Sequence, residues 1–210
     1  MTAPLIAVLD YGIGNLGSAQ KALQLVAGDD VDVRLVTSRD QADGASGVVL
    51  PGVGAFGRCM EELRRSGLDA VAKEALSTGT PLLGVCVGMQ MLYDGSEESP
   101  DTAGLGIVPG RVRRLPDGVK RPQMQWNQLQ LSTPADPLFA GIEQGDWVYF
   151  VHSYAADAGP QVIATTDYGG PVTAVIAGSG LWATQFHPEK SGSVGLRMLA
   201  NFVGIVAGSQ

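Results

Sequence analysis

The sequence predicts an α/β fold with a mostly parallel central sheet flanked by helices and an antiparallel β extension in its second half. Short continuous apolar runs at residues 5–10, 47–50 and 81–85 are typical of buried parallel strands, and apolar residues at helical spacing follow each run. Later runs are short and separated by glycine and proline, which indicates antiparallel strands. These later runs are residues 127–131, 147–151, 162–166 and 172–176.

The composition indicates one sizeable domain spanning residues 1–210. Apolar residues make up 45% of the chain, charged residues make up 17%, and no run suits a membrane span or a cleavable leader. We therefore expect a soluble, cytoplasmic protein. The formal net charge of −7 argues against a nucleic-acid surface. Two cysteines and two histidines offer neither a disulfide framework nor zinc-ligand spacing, so we expect reduced thiols, no metal and no other cofactor.

The first predicted strand leads into a glycine-rich segment, residues 12–17 (GIGNLG), that precedes a helical stretch. This segment matches the G-x-G-x-x-G fingerprint of dinucleotide-binding folds. The fingerprint also requires an acidic residue at the end of the second strand, where it can reach the ribose. Asp32 has the spacing but stands at the beginning of the predicted strand 31–36. A nucleotide-binding module is therefore a weak alternative.

A second glycine-rich segment, residues 51–57 (PGVGAFG), follows the next buried strand. Its glycines allow the backbone to approach a ligand closely, and its N–H groups are candidates for an oxyanion-binding donor. The alternative is a turn without chemistry. Cys59 comes next, in a helical segment, and we expect it to pack in the core. A further helix at residues 68–76 has apolar residues at helical spacing and should cover the sheet.

Cys86 stands between two glycines at the point where the run 81–85 stops and helical character begins. A Gly-x-Cys-x-Gly turn after a strand is the thiol version of a nucleophile elbow, in which the flanking glycines relieve crowding around an exposed apex. The N–H of Val87 and the start of the new helix would favour an oxyanion and a thiolate. Cys86 is therefore the candidate nucleophile, and the alternative is a small buried hydrophobic residue.

The polar residues 94–101 are predicted to form a surface loop, and a final helix is predicted at residues 194–206. Before that helix, the predicted strand 181–186 ends at His187, one of only two histidines. Pro188 biases His187 towards an extended conformation, so that His187 and Glu189 can project from the same side. A base and an orienting carboxylate would complete a Cys-His-Glu triad with Cys86. The alternative is a loop histidine without a role.

Five stretches carry a resemblance to a known family. Residues 51–56, 84–90 (GVCVGMQ) and 185–191 (QFHPEKS) together resemble the class I, or triad, glutamine amidotransferases. Residues 10–18 (DYGIGNLGS) and 149–154 (YFVHSY) are similar to the glutaminase subunits of imidazole glycerol phosphate synthases, which act in histidine biosynthesis. The resemblance covers nearly the whole chain. It implies the glutamine amidotransferase fold over residues 1–210.

The resemblance implies that Cys86 attacks the side-chain amide of glutamine, His187 moves the proton and Glu189 holds the imidazole. Backbone N–H groups of Val53 and Val87 would form the oxyanion hole. A heterodimeric cyclase subunit of (β/α)₈ barrel fold would receive the ammonia, and no cofactor or metal is implied. The competing reading is a stand-alone cysteine amidase of the same fold, which would need no partner.

Further residues take their expected roles from the resemblance alone. The expected substrate-binding residues are Gly52, Gln90, Ser153 and Tyr154. The expected partner-interface residues are Asn15, Trp126 and Lys190. The chain departs from the usual family pattern at residues 123–125, which are QMQ where His-Met-Gly is usual, and at Val87, where leucine is usual. The first departure puts the details of docking in question, whereas the second leaves the backbone N–H in place.

Overall fold

The structure is a computed structural model that describes residues 3–14 and 16–208. The first half of the chain alternates strands and helices: β1 (Leu5–Leu9), α1 (Gly17–Ala27), β2 (Asp32–Val36), α2 (Arg39–Ala42), β3 (Gly47–Gly52), α3 (Phe56–Ser66), α4 (Leu68–Thr78), β4 (Leu82–Cys86) and α5 (Val87–Met91). Strands dominate the second half: β5 (Tyr93–Ser96), β6 (Ser99–Ala103), β7 (Val108–Arg114), β8 (Gln123–Gln128), β9 (Gln130–Leu131), β10 (Trp147–His152), β11 (Tyr154–Ala156), β12 (Val162–Asp167), β13 (Pro171–Gly178), β14 (Leu181–Thr184) and finally α6 (Gly192–Gly208).

An eight-stranded mixed sheet forms the centre, in the order β2-β1-β3-β4-β14-β13-β12-β9. The five strands from β2 to β14 are parallel, and the last three add on in antiparallel fashion. Every residue of β3 and β4 is buried, as expected for strands that helices cover on both faces. Helix α1 packs against α6, and α3 packs against α4 and α5. The predicted fold class is confirmed.

Two smaller sheets complete the second half: the antiparallel ribbon β8–β10, and a four-stranded sheet in the order β11-β7-β5-β6. The predicted surface loop at residues 94–101 is wrong, because most of this segment forms β5 and β6, with Gly95 and Ser96 buried beside β7. The predicted strand 127–131 is interrupted at the fully buried Leu129. On either side of this break, β8 and β9 belong to different sheets.

The parallel strands end at a common edge of the central sheet. Register pairs Gly52 at the end of β3 with Cys86 at the end of β4, and Thr184 at the end of β14 with Val85. The loops after these strands therefore meet at one place, where ligands of open α/β sheets usually bind. None of the helices in the described ranges is long and apolar enough to cross a membrane.

Candidate active site

Cys86 ends β4 in a strained turn. Its φ is 56°, a left-handed value that favours glycine, and holding a residue with a side chain there costs about 1–3 kcal/mol. The flanking glycines explain how the turn fits. A Cβ at Gly88 would lie 1.9 Å from the carbonyl oxygen of Leu50, and one at Gly84 would lie 3.1 Å from the nitrogen of Met89. The predicted strand-turn-helix at this cysteine is present.

His187 follows β14, the strand next to β4. Because the two strands are parallel, with Thr184 beside Val85, both send the chain out at the same edge. His187 Nδ1 donates a hydrogen bond to Glu189 Oε1 over 2.8 Å, which leaves Nε2 for the hydrogen bond between His187 and Cys86. The structure thus brings together the three residues of the predicted triad.

The environment of His187 favours its protonated form. Burial acts to lower the pKa of the imidazole, but hydrogen bonds to Cys86 and Glu189 outweigh it and raise that pKa to about 9. The imidazole is therefore suited to accept and hold the proton that a thiol releases. The side chain of Glu189 is only 8% exposed, so its charge is poorly screened by water.

Hydrogen bonds join the turn that carries His187 to β10. The backbone N–H of His187 donates to the carbonyl oxygen of Tyr149 over 3.1 Å. The hydroxyl of Ser191 donates to the carbonyl oxygen of His187 over 2.6 Å and accepts from the N–H of Tyr149 over 3.0 Å. Ser191 is buried, so these bonds are shielded from water. The position of the imidazole therefore depends on β10.

A cavity of about 360 Å³ opens at Cys86 and His187. The predicted oxyanion residues Val53 and Val87 line it. The remaining expected site residues that line it are Gln90, Ser153, Tyr154 and Lys190. In the ranges that the structure describes, no group of three or more histidine, cysteine or acidic side chains is arranged to hold a metal ion.

Hydrogen bonds from Tyr11 and Cys59, and a close contact with Gly14, hold the segment that contains Val53 in place. The Tyr11 hydroxyl donates to the carbonyl oxygen of Pro51 over 2.6 Å, and the Cys59 thiol donates to that of Val53 over 3.3 Å. A Cβ at Gly14, where φ is 84°, would lie 2.3 Å from the Val53 side chain. This glycine therefore serves close packing between two loops, a role that the dinucleotide fingerprint does not describe.

Cys59 has the packing role that the sequence predicts. The residue is fully buried in α3. Desolvation by burial raises the pKa of its thiol to about 11, against the smaller lowering effects of hydrogen bonds with Tyr11 and Val53. A thiol with so high a pKa is a poor nucleophile at neutral pH.

Two expected site residues, Gly52 and Trp126, are not among the residues that line the cavity. A Cβ at Gly52 would lie 2.6 Å from the nitrogen of Gly88, so the glycine permits β3 to approach the elbow. Trp126 lies on the outer face of the ribbon β8–β10. Asn15 lies outside the described residues, so its expected place at a partner interface stays a prediction.

The outer face of the ribbon β8–β10 is unusually apolar for a surface. Met124, Trp126 and Trp147 are 61%, 45% and 52% exposed, and the only other large apolar side chain counted as exposed in the described ranges is Leu25 on α1. Trp126 packs edge-on against Tyr149, with ring centroids 6.0 Å apart. Contiguous exposed apolar side chains of this kind mark interaction surfaces. We call this face the ribbon surface.

Gln185 is a site residue to which the sequence pattern alone assigns no role. Its side chain is fully buried, with Nε2 3.9 Å from Cys86 Sγ. Gln90 Nε2 donates to Gln185 Oε1 over 3.0 Å and to the carbonyl oxygen of Tyr154 over 2.9 Å. Gln185 and His187 are two apart and could have been expected to share a side. The link to Gln90, however, depends on the tertiary fold.

Glu98 and His152 also line the cavity without having been predicted there. Glu98 Oε2 accepts from the N–H of Phe56 over 2.8 Å, and it was missed because its segment read as a loop. His152 Nδ1 donates to the carbonyl oxygen of Tyr154 over 2.9 Å. Burial is the main cause that lowers the pKa of His152 to about 4. The cavity therefore holds a second histidine that stays neutral.

Comparisons with known proteins show the family. The family model "Glutamine amidotransferase class-I" matches residues 8–205. The imidazole glycerol phosphate synthase subunit HisH of Synechococcus sp. (strain JA-3-3Ab) is 49% identical over 212 residues, which cover 99% of this chain and 96% of that protein. The HisH subunit of Geobacillus kaustophilus (strain HTA426) is 44% identical, with 97% and 98% covered.

Solved structures share the fold at much lower identity. A glutamine amidotransferase crystal structure has a TM-score of 0.74 at 19% identity, with 97% of this chain and 98% of that chain covered. A chain of the PurLQS structure from Thermotoga maritima has a TM-score of 0.74 at 17% identity, with 97% and 99% covered. These structures support the fold alone. From the family match and the close relatives together, the chain belongs to the class I glutamine amidotransferases and, within them, to the HisH subunits of imidazole glycerol phosphate synthase.

Proposed function

We propose that this chain is the glutaminase subunit of an imidazole glycerol phosphate synthase. It hydrolyses glutamine to glutamate and ammonia, and it passes the ammonia to a cyclase subunit that makes imidazole glycerol phosphate and aminoimidazole carboxamide ribotide in histidine biosynthesis. The observation that carries this proposal is the strained Cys86 in one cavity with His187, which Glu189 holds by a 2.8 Å hydrogen bond.

The first chemical step joins Cys86 to the substrate. The sulfur attacks the side-chain amide carbon of glutamine while the thiol proton moves to Nε2 of His187. The amide oxygen becomes an oxyanion, and the Glu189 carboxylate stabilises the imidazolium that forms. The raised pKa of His187, about 9, is consistent with an imidazole that retains this proton until the next step.

The second half of the reaction frees both products. His187 gives its proton to the amide nitrogen, the carbon–nitrogen bond breaks, and ammonia leaves behind a glutamyl thioester on Cys86. Water, from which His187 takes a proton, then attacks the thioester, and the sulfur departs as glutamate forms. The net reaction consumes one glutamine and one water, and it yields one glutamate and one ammonia.

Two backbone N–H groups are assigned to the oxyanion. Val87 is the first residue of α5, so its N–H has no acceptor within the helix. Val53 also lines the cavity, in the segment that Tyr11 and Cys59 hold by hydrogen bonds to the carbonyl oxygens of Pro51 and Val53. The loss of one such donor typically lowers the rate by about 10²–10³.

The same bracing suggests how the partner could regulate the site. The two braced carbonyls flank the peptide between Gly52 and Val53, so this peptide can rotate while its neighbours stay fixed. If the productive orientation is the minor one, a partner that favours it by a few kcal/mol raises the rate by orders of magnitude. The free chain should therefore be a poor glutaminase, and partner binding should activate it.

The ribbon surface is the proposed docking site for the cyclase. The names of the relatives describe them as subunits, which implies a partner subunit. Trp126, Met124 and Trp147 supply the exposed apolar area, and the bonds from β10 to His187 and Ser191 link that area to the site. The cyclase is expected to be a (β/α)₈ barrel that forms a heterodimer with this chain, and both would work in the cytoplasm.

Glutamate release tests the proposal. It would be measured for the free chain, for the complex, and for the complex with a nucleotide ligand of the cyclase. We expect the rate to rise in that order. Equal rates in all three would indicate an unregulated amidase, and no release from any of them would reject the glutaminase function.

Two cysteine variants identify the nucleophile. Cys86→Ala should reduce glutamate release to the level of a blank. Cys59→Ala should retain most of the activity, because it removes only the weak hydrogen bonds of the thiol with Val53 and Tyr11. A glutamine-like electrophile should label Cys86 selectively. Stoichiometric labelling of Cys59 with loss of activity would contradict the assignment.

A further inference from the structure

Two buried side chains at the end of the ribbon β8–β10 carry polar atoms without partners. Both Oε1 and Nε2 of Gln123, and Nε2 of His152, have no hydrogen-bond partner among the described residues. Gln123 is 0% exposed and His152 is 6% exposed. A buried polar group left unsatisfied costs about 1–3 kcal/mol. Three such atoms on two neighbouring side chains would be satisfied by a small polar molecule that binds between or beside them.

The position of the two side chains relates them to the active site. Gln123 is the direct cross-strand partner of His152, so both project from the same face of the ribbon with Cβ atoms about 4.5–5.5 Å apart. His152 lines the cavity that contains Cys86. Met124, the next residue after Gln123, is 61% exposed on the ribbon surface. The pair therefore lies on the buried face of the ribbon, beside the cavity of the nucleophile and on the other side of β8 from the proposed docking site.

The hydrogen-bonding chemistry of the pair is selective. A carbonyl oxygen can only accept, so the bond from His152 Nδ1 to Tyr154 places the proton on Nδ1 and leaves Nε2 as an acceptor. Gln123 offers one further acceptor, Oε1, and one donor group, Nε2. The bound molecule must donate at least two hydrogen bonds and accept one. Ammonia fits this requirement, whereas ammonium cannot accept and a carboxylate cannot donate.

We infer that Gln123 and His152 form a binding station for ammonia on its way from Cys86 to the partner subunit. This inference rests on the proposed function, because only glutamine hydrolysis would supply ammonia here. Ammonia keeps its covalent bonds at the station and only exchanges hydrogen bonds. Water, which also donates two and accepts at least one, would satisfy the same atoms between turnovers.

The environment of His152 supports an uncharged station. Burial lowers the pKa of its imidazole, with the neighbouring His187 adding to the effect, and the result is about 4. At neutral pH the ring is therefore uncharged, and its Nε2 is a hydrogen-bond acceptor that carries no proton. An imidazolium at this place would protonate ammonia, which would then have no lone pair with which to attack the substrate of the cyclase.

The test is the ratio of imidazole glycerol phosphate formed to glutamate released by the complex, at saturating partner and cyclase substrate. This ratio reports the share of ammonia that is delivered, independently of the rate at which glutamine is hydrolysed. Gln123→Leu removes both unpartnered atoms, and it should lower the ratio by about twofold to tenfold, the factor that one net hydrogen bond represents. His152→Phe should lower it in the same direction.

Matched variants separate hydrogen bonding from structure. Gln125→Leu makes the same change two residues along β8, at an exposed side chain on the same face, and its ratio should stay at the wild-type value. Gln123→His retains a donor and an acceptor, so its ratio should stay near the wild-type value, unlike that of Gln123→Leu. Thermal unfolding shows whether each variant is folded, and Gln123→Met replaces Gln123→Leu if the latter is not.

The outcomes distinguish this inference from the proposed function. If the wild-type complex releases glutamate and forms product, but folded Gln123 and His152 variants both keep the wild-type ratio, the ammonia station is rejected and the glutaminase stands. A Gln123→His ratio as low as that of Gln123→Leu would also reject it. If the wild-type complex releases no glutamate, the proposed function itself fails. Product formation from added ammonium chloride shows in each case that the cyclase is competent.

Discussion

The two histidines of this chain line the same cavity and yet occupy opposite chemical environments. Both are buried, and both donate from Nδ1 to an oxygen of the residue two positions later, over 2.8 Å for His187 and 2.9 Å for His152. The acceptor of His187 is the carboxylate of Glu189, whereas that of His152 is the carbonyl oxygen of Tyr154. The pKa is raised to about 9 in the first case and lowered to about 4 in the second.

The difference shows what makes a buried imidazole a base. Burial opposes the charged form of both rings, so an imidazole becomes charged only where hydrogen bonds and neighbouring charges stabilise that form by more than burial costs. His187 has Cys86 on one side and Glu189 on the other, whereas the neighbours that shift the pKa of His152 are the carbonyl of Tyr154 and the ring of His187, neither of which is an anion. His187 is therefore suited to gain and lose protons, and His152 is suited to accept hydrogen bonds without becoming charged.

The largest expected effect comes from removing the negative charge of Glu189, which His187 has as its partner and His152 lacks. Glu189→Gln keeps the size of the side chain but gives His187 a neutral acceptor. We expect kcat for glutamate release by the complex to fall by about 10³–10⁴, by analogy with the loss of an orienting carboxylate in a serine protease triad. Thermal unfolding controls for damage to the fold. Near-normal turnover would mean that another group orients His187.

The second expected effect is a pH dependence of stability that belongs to His152. Its pKa is about 4 in the folded chain and about 6.5 when unfolded. Between these values the unfolded chain binds a proton that the folded chain does not, so stability is complete above about pH 6.5 and falls as the pH drops towards 4. The full loss is about 3 kcal/mol.

His152→Gln tests this origin, because glutamine does not titrate. Chemical denaturation at pH 7 and at pH 4.5 should give a smaller acid-induced loss of stability for the variant than for the wild type. An identical loss in both would show that His152 is not buried in its neutral form, and the contrast between the two histidines would then disappear.

The third effect concerns the ribbon surface, to which both histidines are connected. His152 is the last residue of β10, and the backbone N–H of His187 donates a hydrogen bond to Tyr149 of the same strand. Trp126→Ala should weaken binding of the partner about 30-fold, which corresponds to a hot-spot contribution of about 2 kcal/mol. Titration calorimetry would measure this. Leu25→Ala, an exposed apolar residue on α1, is the control and should bind normally. Equal affinity of the Trp126 variant would place the docking site elsewhere.

The smallest expected effect comes from a hydrogen bond that connects the turn of His187, but not His152, to β10. Ser191→Ala removes the hydroxyl that joins the turn of His187 to Tyr149 and leaves His152 untouched. We expect kcat in the complex to fall by about threefold to tenfold, a part of what the loss of the two hydrogen bonds of this hydroxyl costs in stability. The affinity for the partner should not change. A matched change at the exposed Ser77 should affect neither quantity, and a loss of affinity in the Ser191 variant would argue for a general disturbance of the ribbon.

Local signals in the sequence were sufficient for the elbow and for the turn of His187. Gly84 and Gly88 are needed because a Cβ at either position would meet the backbone of Met89 or Leu50. Such crowding requires glycines at a fixed spacing around the cysteine, and that spacing can be recognised in the sequence. The spacing of His187 and Glu189 is equally local. Parallel strands then bring both to one edge, so the fold class and the triad follow from short stretches of the chain.

Residues whose roles depend on distant partners were not predicted. Gln90 and Gln185 are 95 positions apart, and His152 differs from His187 only in what surrounds it. The strands β5 and β6 were missed because their side chains are polar. Their backbone pairing with each other and with β7, which a hydropathy pattern does not record, decides their structure.

The left-handed turn at Cys86 has a consequence for how this protein evolves. A glycine at residue 86 would relieve the strain, so the fold alone would favour losing the thiol. The cost of about 1–3 kcal/mol is a noticeable fraction of the roughly 5–15 kcal/mol that typically holds a domain together. Selection for stability alone would therefore favour glycine at this position, and only selection for activity retains Cys86.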